Sequence, residues 1–380
     1  MNQDIPYRQC SIGVLDTTDD PNMRFDEQGR CHYYQEYIEA EKEYVKTGEE
    51  GEQLLQSLAK QIQSDGKGKP YDCIMGLSGG VDSTYVAYQA KKLGLRPLAV
   101  HLDNGWNSEP ATQNIESIVS RLDIDLYTHV IEWNEFRDLQ LSYLKASVID
   151  IEVITDHAIF ALLYKLAAKY GIKHILSGTN VVTECVLPPH WIYNKYDHIN
   201  IKAIHKAYGK VPLKTYPFMD LKVKKWYQMI KKVESHSILN WVSYNKNEVK
   251  QIISDELGWR DYGGKHYESI FTRFYQGYIL PKKFGVDKRK AHLTNLIYAG
   301  QMTKEEALQE LKNPPLPQTM VREDLEFVTK KLGLSLQEFE EIMLKKPKRH
   351  QDFDMERSVY EMYPYLSPLK SIVNIAKKIV

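Results

Sequence analysis

Ser78-Gly79-Gly80-Val81-Asp82-Ser83 lies between a short apolar run and an amphipathic run. The apolar run, residues 71–77, is typical of a buried strand. Residues 84–94 carry apolar side chains at helical spacing, then two lysines and a final glycine, which predicts a helix and its end. The hexapeptide is therefore predicted to be a strand-to-helix turn. Its glycines let the backbone approach a ligand, and N–H groups at a helix N-terminus can hold phosphate.

The turn admits a second interpretation. Asp82 and Ser83 are residue types that cap helices, so the stretch could be an ordinary turn without a ligand. It also lacks the Gly-Lys-Ser/Thr ending of a Walker P-loop. We favour phosphate binding because the strand before the turn and the helix after it give the geometry that such a site needs.

The composition is that of a globular protein in water. The chain has 380 residues, of which 43% are hydrophobic and 26% charged. Fifty basic residues balance fifty acidic ones, which argues against a dedicated nucleic-acid binder. No apolar run is long enough to span a membrane, and the N-terminus has no hydrophobic signal core. We therefore expect a cytoplasmic protein with no membrane insertion and no nucleic-acid partner.

Strands and helices alternate from residue 71 to about residue 180. Strands are predicted at 96–102, 125–131 and 171–176, with helices at 108–122 and 158–170, the second capped by Thr155 or Asp156. This alternation predicts an α/β fold with a doubly wound parallel sheet. In such sheets the ligand lies at the carboxyl ends of the strands, near the point where the strand order reverses.

Three of these strands end in polar or glycine-rich turns, at residues 78–83, 103–106 and 177–180. One nucleotide that contacts all three turns is the simplest interpretation. The adenine would lie against the second turn and the phosphates against the first and third. Beyond residue 180 the pattern becomes mostly helical, with an unusual polar stretch at 258–274.

The hexapeptide resembles the PP-loop of the ATP pyrophosphatases, and further motifs narrow the resemblance. The chain resembles the N-acetyl sugar amidotransferases of bacterial surface-polysaccharide (O-antigen) biosynthesis across nearly all of residues 5–312. The segments that carry this resemblance are 78–83, 155–159, 177–180, 258–274 and 284–292. It implies a fold like that of the adenine nucleotide alpha hydrolases.

The resemblance divides the chain into five regions. They are a small irregular N-terminal unit (1–35), a helical linker (36–70), the PP-loop ATP-binding α/β domain (71–185), a helical substrate-binding region that completes the active site (186–312) and a C-terminal helical extension (313–380).

The activity that the resemblance implies is ATP-dependent amidination. An acetamido oxygen of a nucleotide-linked diacetamido uronic acid would be adenylated and then replaced by ammonia, with release of AMP and pyrophosphate. The implied cofactors are ATP and magnesium. None of the four cysteines occupies a glutaminase nucleophile turn, so the chain is not expected to make ammonia from glutamine itself. The resemblance implies the partners that supply ammonia, a separate glutaminase subunit and a cyclase-like subunit.

The resemblance also implies the site residues. The cofactor-binding set is Gly76, Ser78, Gly79, Gly80, Asp82, Ser83, His101, Asp103, Asn104, Ser177, Gly178 and Thr179, with Asp82 near magnesium. The catalytic set is Asp82, Lys265, His266, Lys288 and Arg289, and the substrate-binding set is Asn180, Glu184, Glu268 and Arg273. Glu184 is also a weaker candidate for magnesium. The alternatives are a solvated loop at 258–274 and a solvated charge run at 287–290. Asp156 and His157 are interpreted as helix-start residues.

The N-terminal unit departs from the family pattern of two Cys-x-x-Cys pairs that bind zinc. Only Cys10 and Cys31 remain, one from each pair. With His32 they would be one ligand short of a closed tetrahedral site, so zinc is not expected. A disulfide between the two cysteines is disfavoured in a reducing cytoplasm.

Three other functions stay open from the sequence. A PP-loop tRNA-modifying enzyme is disfavoured by the balanced charge and the unpaired cysteines. A non-catalytic assembly subunit is disfavoured by the intact phosphate turn. An amidating enzyme that acts on a carboxylate shares the ATP chemistry and is excluded only by the resemblance after residue 258.

Overall fold

The structure, a computed structural model, describes residues 6–356 of the chain. Its strands are β1 (Cys73–Gly76), β2 (Pro97–Asp103), β3 (Asp125–Val130), β4 (His174–Leu176) and β5 (Glu234–His236). Within the described residues these five strands form one sheet in the order β3-β2-β1-β4-β5, with every neighbouring pair parallel.

Helices fill most of the remaining chain. The α-helices are α1 (His32–Tyr44), α2 (Gly48–Asp65), α3 (Val81–Lys92), α4 (Glu109–Leu122), α5 (Trp133–Ala146), α6 (Val153–Tyr170), α7 (Val181–Glu184), α8 (His198–Tyr208), α9 (Leu221–Met229), α10 (Lys246–Leu257), α11 (Ile270–Phe274), α12 (Lys288–Tyr298), α13 (Lys304–Leu311), α14 (Gln318–Leu332) and α15 (Leu336–Leu344). A π-helix, Tyr275–Phe284, continues α11. Short 3₁₀ turns cover Pro189–Trp191, Ile238–Trp241 and His350–Asp352.

The strand order makes the sheet doubly wound, as predicted. From β1 the chain runs outward through β2 to β3, then returns to place β4 on the other side of β1. The order therefore reverses between β1 and β4, whose carboxyl ends lead into the turns at 78–83 and 177–180. This is the position at which such sheets bind ligands.

Apolar residues cover both faces of the sheet because a parallel sheet is buried on both sides. One face packs against α2, α3, α4 and α10 through residues such as Ile62, Val86 and Ile253. The other face packs against α6 and α9, with Leu163 and Val233 in that layer.

A third cluster joins the N-terminal unit to the C-terminal helices. It includes buried aromatic side chains from along the whole chain: Tyr37, Tyr143, Trp191, Phe274 and Phe339. The N-terminal unit itself is irregular, with bridges between Gln9 and Asp16 and between Phe25 and Cys31. The described part of the region after residue 312 is helical, and residues 357–380 lie outside the described residues.

Some local predictions were wrong. Strand β5 was not predicted, because its three residues show no alternation of apolar and polar side chains that would mark a strand. The mostly helical pattern predicted beyond residue 180 is interrupted, since α8 ends at Tyr208 and α9 begins only at Leu221. Helix α6 begins at Val153 with Glu152 at its N-cap, so neither Thr155 nor Asp156 caps it.

In residues 6–356, no helix combines the length and the apolar character needed to cross a bilayer.

Candidate functional site

The phosphate turn is closed on itself by hydrogen bonds. The backbone N–H of Ser78 donates to Ser83 Oγ over 3.3 Å, and Ser83 Oγ donates to the Gly80 carbonyl over 3.2 Å. Gly79 has φ +79°, and a Cβ there would lie 2.7 Å from the carbonyl oxygen of Ala111. Only glycine fits this position. The backbone N–H groups of the first turn of α3 face the carboxyl edge of the sheet, where they are accessible to a ligand.

Asp82 is the acidic group of this turn. Burial raises the pKa of its carboxyl, and the nearby Glu184 carboxylate adds to the effect, whereas Lys265 and the Tyr244 hydroxyl oppose it. Tyr244 donates a hydrogen bond to Asp82 Oδ1. Such a carboxylate is costly to keep charged unless a cation joins it. Magnesium is commonly held by one or two carboxylates and phosphate oxygens, so Asp82 and Glu184 fit it.

A cavity of about 630 Å³ opens in front of the phosphate turn. Its size is within the range of small-molecule sites. It brings together twelve of the residues predicted from the sequence: Ser78, Gly80, Asp82, Ser83, Gly178, Glu184, Lys265, His266, Glu268, Arg273, Lys288 and Arg289. The turn at 78–83, the polar stretch and α12 therefore face one space. Eight other predicted residues are not part of its lining: Gly76, Gly79, His101, Asp103, Asn104, Ser177, Thr179 and Asn180.

The second turn is occupied by its own hydrogen bonds. His101 Nδ1 lies 3.0 Å from the Leu77 carbonyl, and its Nε2 lies 2.9 Å from the Asn107 amide nitrogen. Asp103 accepts a hydrogen bond from the Gly105 N–H, and Asn104 accepts one from the Trp106 N–H. These three side chains shape the turn, and adenine contact by them stays a prediction.

The third turn is also held locally. Ser177 Oγ and Thr179 Oγ1 lie 2.9 Å apart, and Asn180 caps α7 by accepting from the Thr183 N–H over 2.9 Å. A Cβ on Gly178 would lie 3.3 Å from the Asp82 Cβ, so the third turn packs directly against the start of α3. Asn180 is a buried cap in the structure, and a substrate contact by it stays a prediction.

The polar stretch at 258–274 is attached to the carboxyl edge by backbone contacts. The Ser108 N–H donates to the Glu268 carbonyl over 2.8 Å, and the Ile270 N–H donates to the Trp106 carbonyl over 2.8 Å. Trp259 Nε1 donates to the Gly79 carbonyl over 2.9 Å. The stretch is therefore an ordered wall of the cavity that bridges β2 and the phosphate turn.

Two known protein families match different parts of the chain, one before this wall and one that begins within it. Residues 72–252 match the family described as queuosine biosynthesis protein QueC. Residues 268–367 match the family described as LPS biosynthesis protein WbpG-like, C-terminal domain. The chain joins a QueC-like PP-loop domain to a WbpG-like C-terminal domain. The predicted resemblance is confirmed at this level, and the chain is an ATP-using enzyme of the PP-loop kind.

A curated relative spans most of the chain. It is an uncharacterized protein of Methanocaldococcus jannaschii, 22% identical over 323 residues that cover 83% of this chain and 97% of the relative. Among solved structures, an NMN synthetase from Francisella tularensis aligns at 16% identity and TM-score 0.29, over 59% of this chain and 92% of its own. An NH3-dependent NAD synthetase from Campylobacter jejuni aligns at 14% identity and TM-score 0.30, over 78% and 98%. Scores this low say nothing about function.

The two predicted arginines of the WbpG-like domain are already paired with carboxylates. Arg273 donates to Asp324 over 2.9 and 2.5 Å, and Arg289 donates to Asp287 with a closest distance of 2.7 Å. Lys265 pairs with Glu184 over 3.2 Å. Lys288 lies 5.8 Å from the centroid of the Tyr275 ring. The lysines are thus less tightly engaged than the arginines.

Among the lining residues that were not predicted as site residues are Tyr244, Lys246, Tyr262 and His292. Burial lowers the pKa of Lys246, and the neighbouring Lys265 lowers it further. Burial, and after it the nearby Lys265, lower the pKa of His292 well below its usual range. Tyr262 and His292 lie in the segments 258–274 and 284–292 that carry the resemblance but were not chosen there, whereas no local motif marks Tyr244 and Lys246.

The N-terminal unit contacts the opposite side of α12. Cys10 and Cys31 place their sulfurs 3.4 and 3.3 Å from the Tyr298 hydroxyl, which lies between them. Hydrogen bonding from Cys31 lowers the pKa of Cys10 to about 5. His32 points elsewhere, since its Nδ1 accepts from the Arg24 N–H over 3.3 Å. Among residues 6–356 there is no group of three or more His, Cys, Asp or Glu side chains placed to hold a metal.

Proposed function

We propose that this protein is an ATP-dependent sugar amidotransferase. It would adenylate an acetamido oxygen of a nucleotide-linked diacetamido uronic acid and replace that oxygen with ammonia. One observation supports this most directly: the phosphate turn of the PP-loop domain and the basic residues Lys288 and Arg289 of the WbpG-like domain line the same cavity. An ATP and a second anionic substrate can therefore be held next to each other.

The chemistry asks for position and charge neutralisation. An amide oxygen is a poor leaving group, and ATP supplies adenylate to make it a good one. The N–H groups at the start of α3 and Ser83 would hold the phosphates, and Asp82 with Glu184 would hold magnesium. Proximity and electrostatic stabilisation dominate reactions of this type.

The cations of the cavity suit an anionic sugar nucleotide. Lys246, Lys265 and Lys288 line the cavity together. They would contact the diphosphate and the uronate carboxylate as point charges, whereas Arg273 is already paired with Asp324 and Arg289 with Asp287. The lysines would therefore bind the substrate and the arginines would shape its site.

Ammonia would come from partner subunits, a glutaminase and a cyclase-like protein. Cys10, Cys31 and Cys73 are buried, and burial raises the pKa of the half-buried Cys185. A glutaminase nucleophile needs an accessible cysteine with a lowered pKa, and none of these positions offers both.

The test is a reaction with purified protein, ATP, magnesium, ammonium chloride and a UDP-linked diacetamido uronic acid. Pyrophosphate release that requires the sugar, together with the mass change from carbonyl oxygen to imino group, is the expected result. Asp82→Ala should abolish both, and glutamine in place of ammonium should give no product. Pyrophosphate release that is independent of the sugar would contradict the proposed substrate.

A further inference from the structure

His266 has an unusual backbone conformation at the cavity wall. It follows Gly263 and Gly264 and has φ +65°, in the left-handed region that residues other than glycine rarely adopt. Such conformations persist where the surrounding structure fixes them, and they are often found at functional sites. Here the conformation carries the imidazole into the lining of the cavity.

Glu268 orients this imidazole. His266 Nδ1 lies 3.5 Å from Glu268 Oε1. Burial alone would raise the pKa of the Glu268 carboxyl, but the His266 contact and the Tyr262 hydroxyl outweigh it and lower that pKa. The Glu268 carboxylate therefore faces the Nδ1 edge of the ring. This leaves Nε2 of the ring as the nitrogen available to a substrate.

The pair stands directly beside the phosphate turn. A Cβ on Gly80 would lie 3.8 Å from Glu268 Oε1 and 3.4 Å from the Tyr262 hydroxyl oxygen. Glu268 Oε2 is buried and has no hydrogen-bond partner among the described residues. The His292 ring lies 5.7 Å from the His266 ring, centroid to centroid. A carboxylate–imidazole pair thus faces the point where phosphates and sugar would meet.

We propose that His266 is the base that accepts a proton from the attacking nitrogen, with Glu268 as its positioning residue. This inference rests on the proposed function. Ammonia forms a C–N bond to the carbon of the adenylated acetamido group. Nε2 takes one proton from that nitrogen, and the C–O bond to AMP then breaks, which leaves a protonated amidine and AMP. Proton transfer of this kind contributes about 10²-fold or more to enzymatic rates.

The experiment separates the two half-reactions in the full-length protein. Sugar-dependent exchange of labelled pyrophosphate into ATP reports adenylation, and the mass of the sugar reports amidination. The variant is His266→Asn, because asparagine tolerates a left-handed backbone and lacks a basic ring. The control is His190→Asn, at an exposed histidine outside the cavity.

We expect His266→Asn to keep exchange within about threefold and to lose amidination by about a hundredfold. A second variant, His266→Gly, makes room for free imidazole, which should restore part of the amidination rate. That rescue should be weaker when Glu268→Gln is added, which a purely structural role of Glu268 would not predict.

Three results would overturn the inference. An unchanged amidination rate in His266→Asn would show that His266 is not the base. A parallel loss of exchange and amidination without imidazole rescue would make the loop a phosphate-positioning element. If the wild-type protein shows no sugar-dependent exchange, the proposed function fails and the inference fails with it.

Discussion

Trp259 donates a buried hydrogen bond of 2.9 Å from its indole nitrogen to the carbonyl oxygen of Gly79. The two residues are 180 positions apart in sequence, and the bond joins the polar stretch to the phosphate turn. The wall of the cavity is thereby fixed to the backbone that is predicted to hold pyrophosphate.

Trp259→Phe should weaken ATP binding. The phenyl ring keeps most of the packing but leaves the Gly79 carbonyl without its donor, at a cost of about 1–3 kcal/mol. We expect about tenfold weaker ATP binding by calorimetry. Trp226→Phe changes an exposed tryptophan and should leave the affinity unchanged. Equal affinities for wild type and Trp259→Phe would show that the bond does not shape the turn.

Gly79→Ala should disrupt the phosphate turn through one contact. Its Cβ would lie 2.7 Å from a backbone carbonyl that cannot move aside easily. Gly68→Ala is the matched control, because Gly68 has nearly the same φ, +76° against +79°, but no atom within 4 Å of its Cβ position. In both variants the alanine must adopt a left-handed backbone conformation, which costs about 1 kcal/mol. Only Gly79→Ala should lose ATP binding, and loss in both would assign the effect to backbone strain.

Asp82→Asn should raise the melting temperature of the ligand-free protein at pH 7 while abolishing pyrophosphate release. Burial raises the pKa of Asp82 in the folded state. The unfolded state therefore ionises first as pH rises, and the folded protein loses stability between the two pKa values. Asparagine avoids this penalty. The gain should shrink as the pH falls and vanish below about pH 3, where the carboxyl is neutral in both states.

Melting curves at about pH 7 and about pH 3, on either side of the ordinary Asp pKa, test this, with the exposed Asp255→Asn as the control. A gain of equal size at both pH values would mean that the pKa of Asp82 is not its cause.

Lys290→Met should destabilise the protein and reduce activity together. Lys290 Nζ lies 2.7 Å from Asp16 and 2.6 Å from Asp19, and both carboxylates are buried. Removing the ammonium leaves two buried charges without compensation, which costs about 3 kcal/mol or more. Because α12 also carries Lys288, Arg289 and His292 into the cavity, a shift of this helix should raise the KM for the sugar.

Denaturant unfolding and steady-state kinetics measure both effects, and Lys312→Met at an exposed position is the control. Loss of stability with an unchanged KM would limit the N-terminal unit to a structural role.

The local part of the fold was predictable because its signals lie in adjacent residues. The strand, turn and helix around Ser78 to Ser83 each show a periodicity or a glycine within a few positions. The same holds for β2 and β4. Strand β5 was not predictable, because His236 and its two neighbours become a strand only by pairing with His174 to Leu176.

The sequence by itself determined the phosphate turn and the alternation that sets a parallel sheet, since chain geometry within about thirty residues fixes both. Tertiary structure alone decided which distant side chains share the cavity and which cations are already paired. Arg273, for example, is paired with Asp324, which lies 51 positions later on α14. Contacts between residues far apart along the chain depend on how helices pack, and no local pattern encodes that packing.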